Sequence, residues 1–378
     1  MPDHNAPLRV GIIGYGLAGA VFHAPLVAAT PGLTLAAVVT RAPERRAQAA
    51  RAHPGVQLLD APEALWAPGS DVELVVVASP NRTHVPLATA AIDAGRHVVV
   101  DKPVALTAAD AGALAARAQA RGVVLVPFHN RRWDGDFLTL RQLVAQEAGE
   151  GGRLGAVARF ESRFERWRPV PRAGWKEQGG PDEGTGVLYD LGPHLVDQAL
   201  VLFGSVTHVY AELDRRRPGD PTVDDDAFVA LTHASGVRSH LAASAAAAQP
   251  GPRFRVLGTR GAYTKWGLDP QEAALSGGAR PGDAGWGEEP PDRWGVLGVD
   301  DDRRDDDRAG TRPVPTERGA YERFYAGVVA AVRGGAAPPV DVADAVAGLA
   351  VLEAARQSAA EGRVVRLPAE PSNNSPAA

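Results

Sequence analysis

The 378-residue chain contains no cysteine. That excludes disulfides, a thiolate nucleophile, a cysteine-based zinc site and an iron–sulfur cluster, and it leaves the redox compartment unreadable. Lysine is nearly as scarce. Of the 40 basic residues only Lys102, Lys176 and Lys265 are lysines, leaving 37 arginines. The chain is also rich in alanine, glycine and proline, so an overall composition bias accounts for most of this. A surviving lysine is still worth following, because a buried ammonium can lose its proton and a guanidinium cannot. Positive charge is not in excess: the formal net charge is −5, which argues against a general nucleic-acid binder. No apolar run reaches the ~18 residues that would suggest a membrane span. Residues 1–7 are short and polar, without a signal-peptide pattern. The expectation is a cytoplasmic chain with neither a nucleic-acid nor a membrane partner.

Hydrophobic residues make up 45% and charged residues 22%, an ordinary globular balance with enough chain for two domains. The first third alternates strand and helix. Apolar runs at 8–13, 33–39, 72–78, 97–100 and 123–126 read as buried strands. Segments 18–29, 43–53, 85–94 and 108–121 read as the helices between them. This is the pattern of βαβ units and a parallel sheet. After residue 128 the pattern changes. A helix over 137–146, an extended stretch over 157–164 and a Gly/Pro/Trp-rich loop over 166–186 precede a helix over 195–203. Strand-like segments then follow one another at 206–213, 227–232, 237–242, 254–257 and 262–266, which suggests an α+β unit on an open mixed or antiparallel sheet. Residues 277–316 read as loop, with a solvated acidic run at 300–307. Helices over 321–332 and 342–360 close the fold. The expected division is an α/β domain over 1–128, an α+β domain over 129–367 and a disordered tail over 368–378.

Directly after the first strand stands Gly14-Tyr15-Gly16-Leu17-Ala18-Gly19. A G-x-G-x-x-G is weak alone, but between a strand and a helix it is the fingerprint of a dinucleotide turn. Gly14 permits the tight bend, Gly16 lets the backbone approach a pyrophosphate, and Gly19 lets the helix pack closely on the strand. Leu17 and Ala18 open the helix whose positive N-terminus faces the phosphates. Cofactor choice is read at the end of the second strand, where an acid would bind the ribose hydroxyls of NAD. Here stand Thr40 and Arg41, with Arg45 nearby and no acid at the strand end. That set suits a 2′-phosphate and favours NADP, with NAD as the alternative.

The fourth core strand ends in Asp101-Lys102-Pro103, and strand carboxyl ends in such sheets face the ligand crevice. Later come Asp190-Leu191-Gly192-Pro193-His194. Pro193 suits the first turn of the helix that follows, so Asp190 and His194 stand four apart across a helix start and could share a face. A helix N-terminus lowers a histidine pKa and a carboxylate raises it, and opposed effects of that kind can hold an imidazole near neutrality for general-base work. Alone, Asp-x-x-x-His is equally a capping or packing pair. No histidine/glutamate set has metal-site spacing, so no metal is expected.

Taken in order, the glycine turn, Ser79-Pro80-Asn81-x-x-His84, Asp101-Lys102-Pro103 and Asp190-x-x-x-His194 resemble the Gfo/Idh/MocA family of nicotinamide-dependent sugar and polyol oxidoreductases. The resemblance covers nearly the whole chain. Segments 21–26, 129–134 and 188–192 are similar to the branch containing NADP-dependent scyllo-inositol dehydrogenases. One departure is Asp101, where the family usually has glutamate. The resemblance implies a Rossmann domain joined to an open-sheet domain that often forms a homodimer or homotetramer contact. It implies that His194 takes the hydroxyl proton, that Asp190 orients His194 or holds a substrate hydroxyl, and that Lys102 hydrogen-bonds the reacting oxygen. Asn130 and Arg131 would contact the polyol. Ser79, Pro80, Asn81, His84 and Asp101 would lie along the cofactor. Arg132 reads as an ion-pair scaffold residue, while Trp167, Arg168 and Trp175 could wall the pocket or simply pack. The implied activity is NADP-dependent interconversion of a secondary alcohol of a cyclitol or sugar with its ketone. The same turn and lysine would also serve reduction of an imine, a dihydrodiol or a tetrapyrrole, or redox-assisted glycoside cleavage. A nicotinamide-sensing regulator is a further alternative, but such members tend to lose the catalytic lysine or histidine, and Lys102, Asp190 and His194 are all present.

Overall fold

The computed structural model describes residues 6–149, 151–171, 177, 179–180, 183–218, 222–299 and 310–368. Trp175, the acidic run 300–307 and the tail from 369 onward lie outside them. Six parallel strands form the first sheet: β1 (Leu8–Ile13), β2 (Leu33–Val39), β3 (Gln57–Leu59), β4 (Leu74–Val77), β5 (His97–Asp101) and β6 (Leu125–Phe128). Their order is β3-β2-β1-β4-β5-β6, the doubly wound dinucleotide-binding topology. Continuous burial follows from continuous apolar sequence, as in Leu74–Val77, where every residue is buried. Helices α1 (Ala24–Ala29), α2 (Pro43–Ala52), α3 (His84–Asp93) and α4 (Ala108–Arg121) supply the crossovers. The chain enters α1 through a π-helical turn, Ala18–His23. At the start of α4 the Thr107 hydroxyl accepts from the Asp110 N–H, and Gly122 at φ +65° ends the helix.

The second unit begins with α5 (Gly135–Glu147) and β7 (Val157–Glu165), followed by α6 (Gly186–Phe203). Strands β8 (Val206–Asp214), β9 (Asp226–His233), β10 (Arg238–Ser244), β11 (Phe254–Gly258) and β12 (Gly261–Lys265) come next. The unit continues with α7 (Gln271–Ser276), β13 (Gly295–Val299), β14 (Gly310–Val314), α8 (Glu322–Gly334), α9 (Val342–Glu361) and β15 (Val365–Arg366). The nine strands form one sheet in the order β14-β13-β12-β11-β7-β10-β9-β8-β15. All described pairings are antiparallel except β7 with β10. Burial alternates along β9, with Ala227, Val229 and Leu231 inside and Phe228, Ala230 and Thr232 half-buried on the other face. Helix α6 packs on β7, β9 and β10, and α9 packs on β8, α4 and α6. Helix α8 returns to the first sheet, where Phe324, Tyr325 and Val328 join Leu8, Val10 and Ile12 in one core.

Two expectations need correction. Residues 277–316 are not all loop, since they contain β13 and β14. These strands lie at one end of the sheet, where Pro313 is tolerated because β14 has a neighbour on one side only. Helix α6 begins at Gly186, not near 195, and carries Pro193 in its interior. Burial along most of its length outweighs the lost backbone donor.

Candidate functional site

The turn after β1 has the geometry its glycines require. Gly14 sits at φ +96°, and a Cβ there would lie 2.5 Å from the Ala78 carbonyl oxygen. A Cβ on Gly19 would collide with the Gly14 carbonyl. Gly16 differs, because the nearest atom to a Cβ there is Arg45 Nη1 at 3.9 Å. The space above Gly16 is therefore an open cradle beside a helix entry, with Leu17 exposed at its edge and Ala18 half-buried. These residues fit a pyrophosphate.

At the end of β2, Thr40 is buried and Arg41 and Arg45 are exposed. Arg41 Nε donates to the Asp60 carbonyl at 3.0 Å, which orients the guanidinium. Arg46 is consumed locally: it donates to the Thr40 carbonyl at 3.1 Å and to the Asp60 carboxylate at 2.7 Å. The acid beside this strand end is thus already paired with Arg46.

The loop after β4 is held by four side chains. The Ser79 and Thr83 hydroxyls share a hydrogen bond at 2.6 Å. Asn81 Nδ2 donates to the Gly184 carbonyl at 2.7 Å and so ties the loop to the entry of α6. His84, expected along the cofactor, is fully buried. Its Nδ1 lies 2.7 Å from the Pro103 carbonyl and its Nε2 2.8 Å from the Ser79 carbonyl. It latches the two loops together and has no face left for a ligand. Pro80 precedes the short turn Asn81–Thr83.

Strand β5 delivers Asp101 and the cis Lys102–Pro103 peptide to the crevice. Asp101 turns back on its own chain, accepting from the Lys102 N–H at 2.8 Å. Lys102 crosses to α6, where Nζ donates to the Asp190 carbonyl and, at 3.1 Å, to Asp190 Oδ1. Asp190 and His194 lie one turn apart inside α6 and so share a face. His194 is only 6% exposed, and its Nδ1 is buried without a hydrogen-bond partner. Asp190 therefore fixes Lys102 and does not orient His194 through that nitrogen. The expected balance of opposed effects on His194 is also corrected. The residue is two turns into the helix, and burial, Lys102, Arg131, His129 and Arg253 all push its pKa the same way, well below the usual histidine value. Burial and these charges favour the neutral imidazole.

Asn130 and Arg131 lie on the turn after β6, both buried. Arg131 pairs with Asp134 at 3.4 Å and Glu272 at 2.5 Å, and its guanidinium lies over the Phe164 ring at 4.7 Å. Arg132 binds Asp197 through Nε and Nη2 and reaches Asp344 at 2.8 Å, a scaffold role. Trp167 is 57% exposed and bridges Ala246 through its backbone. The Arg168 N–H donates to the Ala245 carbonyl at 2.8 Å. Sequence reasoning missed Arg166, which stacks on Phe164 at 4.6 Å and lies within electrostatic reach of Asp190. It also missed His129 and Asp197. The signal for Asp197 was its spacing from Asp190 and His194, readable once the helix is known to start at Gly186.

Residues 8–129 match the oxidoreductase family through its NAD-binding Rossmann fold, and residues 147–367 match its C-terminal alpha/beta domain. The chain is 42% identical over 353 residues to the uncharacterized oxidoreductase YdgJ of Escherichia coli (strain K12), covering 93% of this chain and 96% of that protein. It is 34% identical over 361 residues to the scyllo-inositol 2-dehydrogenase (NADP(+)) IolW of Bacillus subtilis (strain 168), covering 95% and 96%. The solved structure of GenD2 from gentamicin A biosynthesis, in complex with NAD, superposes with a TM-score of 0.73 at 29% identity, covering 97% of this chain and 98% of that one.

Proposed function

The chain belongs to the Gfo/Idh/MocA oxidoreductase family, and we propose that it interconverts a secondary alcohol of a cyclitol or sugar with its ketone using NADP. The observation that carries this reading is the Lys102–Asp190 pair beside a neutral His194, at the carboxyl edge of the parallel sheet. The nicotinamide, when bound, accepts or returns the hydride. Gly14, Gly16 and Gly19, with Leu17 and Ala18, would hold its pyrophosphate. Thr40, Arg41 and Arg45 would hold the 2′-phosphate, and this supports NADP over NAD. IolW, whose name specifies NADP, supports the same choice.

His194 takes the hydroxyl proton, a role for which a positioned neutral imidazole is worth about 10²–10⁴ in rate. Lys102 donates a hydrogen bond to the reacting oxygen and stabilises negative charge developing there, while Asp190 keeps the ammonium in place. Incubation with NADP and a panel of inositols and aldoses tests the reading. Accumulation of reduced cofactor with a polyol supports it, and silence across the panel with intact cofactor binding rejects the substrate class.

We also propose a homodimer or homotetramer formed through the open face of the nine-stranded sheet. Glu161, Arg163, Arg255, Thr264 and Trp266 line a shallow depression of about 580 Å³ there, and Trp266 is 57% exposed. Arg163 and Arg255 flank Glu161 at 3.1 and 3.4 Å, a mixed-charge surface that a second copy can complement.

A further inference from the structure

We propose that His129, held against Asp197, receives the proton that His194 takes from the substrate. This rests on the reading of His194 as the base. Strand register places the group: Phe128 pairs with Asp101, so the residues that follow, His129 and Lys102, leave adjoining strand ends. On the other side, α6 presents Asp190, His194 and Asp197 from successive turns of one face.

Two buried nitrogens at this junction have no hydrogen-bond partner, His194 Nδ1 and His129 Nδ1. Buried polar atoms are rarely left so, and a trapped water is the usual remedy. The charges on either side differ. His194 faces Lys102, Arg131, His129 and Arg253, all cationic or able to become so. His129 faces Lys102 and Arg132, but it also faces Asp197 and Asp344. The Asp197 carboxylate lies 3.9 Å from His129 Nδ1, and Arg132 fixes that carboxylate through two nitrogens. Burial disfavours the charged form of both rings, but only His129 has carboxylates set against it, so a proton is better accommodated there than on His194.

The transfer balances without a further reactant. The substrate O–H breaks as a His194 Nε2–H forms, the His194 Nδ1–H breaks, and an N–H forms on His129, directly or through one water. His129 acts through His194 and does not touch the substrate.

The test is His129→Gln in the full-length protein, which keeps a polar side chain but cannot carry the proton. Expected is a 10- to 100-fold loss of kcat with KM and NADP affinity within twofold of wild type, partial recovery by added imidazole in His129→Ala, and an altered pH profile. Unchanged kcat and pH profile would overturn the proposal. So would a loss confined to KM and thermal stability without imidazole rescue. Titration of ¹⁵N-histidine-labelled protein, assigned with His129→Gln and His194→Gln, gives a reading independent of substrate. His129 should protonate at higher pH than His194, and the reverse order would overturn the proposal. Failure of the parent reading looks different: His194→Gln would then match wild type in turnover.

Discussion

Asp136 offers a prediction about stability that does not involve the reaction. It lies in the first turn of α5 and is 1% exposed, and neither carboxylate oxygen has a hydrogen-bond partner. Arg253 and Lys265 pull its pKa down, but burial and the nearby Asp134 and Glu289 prevail and push it up to about 7 from an ordinary 3.8. The neutral carboxyl is thus the form the fold prefers. Its contribution is fully present below the unfolded value and is lost as pH rises through the folded one. A shift of about three units at ~1.4 kcal/mol each is worth roughly 4 kcal/mol. Asp136→Asn cannot ionise and should escape that loss. Urea unfolding of wild type and variant at about pH 5 and pH 8 reads the effect. Part of that loss already falls below pH 5, so the variant should gain roughly 2.5 kcal/mol of stability relative to wild type on going from pH 5 to pH 8. A variant destabilised more at pH 8 than at pH 5 would refute the reasoning, because Asp136 would then be an ionised partner of Arg253 or Lys265.

Other predictions concern the cofactor and the assembly. Gly16→Ala should leave the thermal midpoint unchanged, because its Cβ meets only Arg45 Nη1 at 3.9 Å, yet weaken NADP binding about tenfold or more by filling the cradle; calorimetry and thermal melts separate the two effects. Gly14→Ala should destabilise the fold itself, given its positive φ and the Ala78 carbonyl. Arg41→Ala combined with Arg45→Ala should weaken NADP about tenfold and leave NAD binding nearly unchanged; an equal loss for both would remove the 2′-phosphate assignment. Trp266→Glu should shift the molecular mass measured by light scattering toward the monomer, and an unchanged mass would place the interface elsewhere.

Much of the fold was legible in the sequence because its signals are local. Strands such as Leu74–Val77 are short unbroken apolar runs, and glycines such as Gly122 stop helices where a left-handed residue is needed. What was hidden depends on neighbours. Strands β13 and β14 are rich in glycine and carry Pro313, and only pairing at the sheet edge makes them strands. Pro193 read as a helix start because proline favours the first turn, whereas burial of α6 carries it in the interior. That misplacement concealed Asp197, which lies one turn further along the face that Asp190 and His194 share. His84 stood out as a motif residue, but its two carbonyl contacts come from separate loops. The scarcity of lysine pointed to Lys102, and the structure places it on Asp190.

The most direct test of the central claim is the initial rate of NADP reduction by a turned-over polyol at about pH 8–9, measured for wild type and Lys102→Met alongside NADP affinity. Expected is a loss of at least about 100-fold in turnover with affinity nearly unchanged. A Lys102→Met enzyme that turns over like wild type would contradict the assignment of the Lys102–Asp190–His194 site.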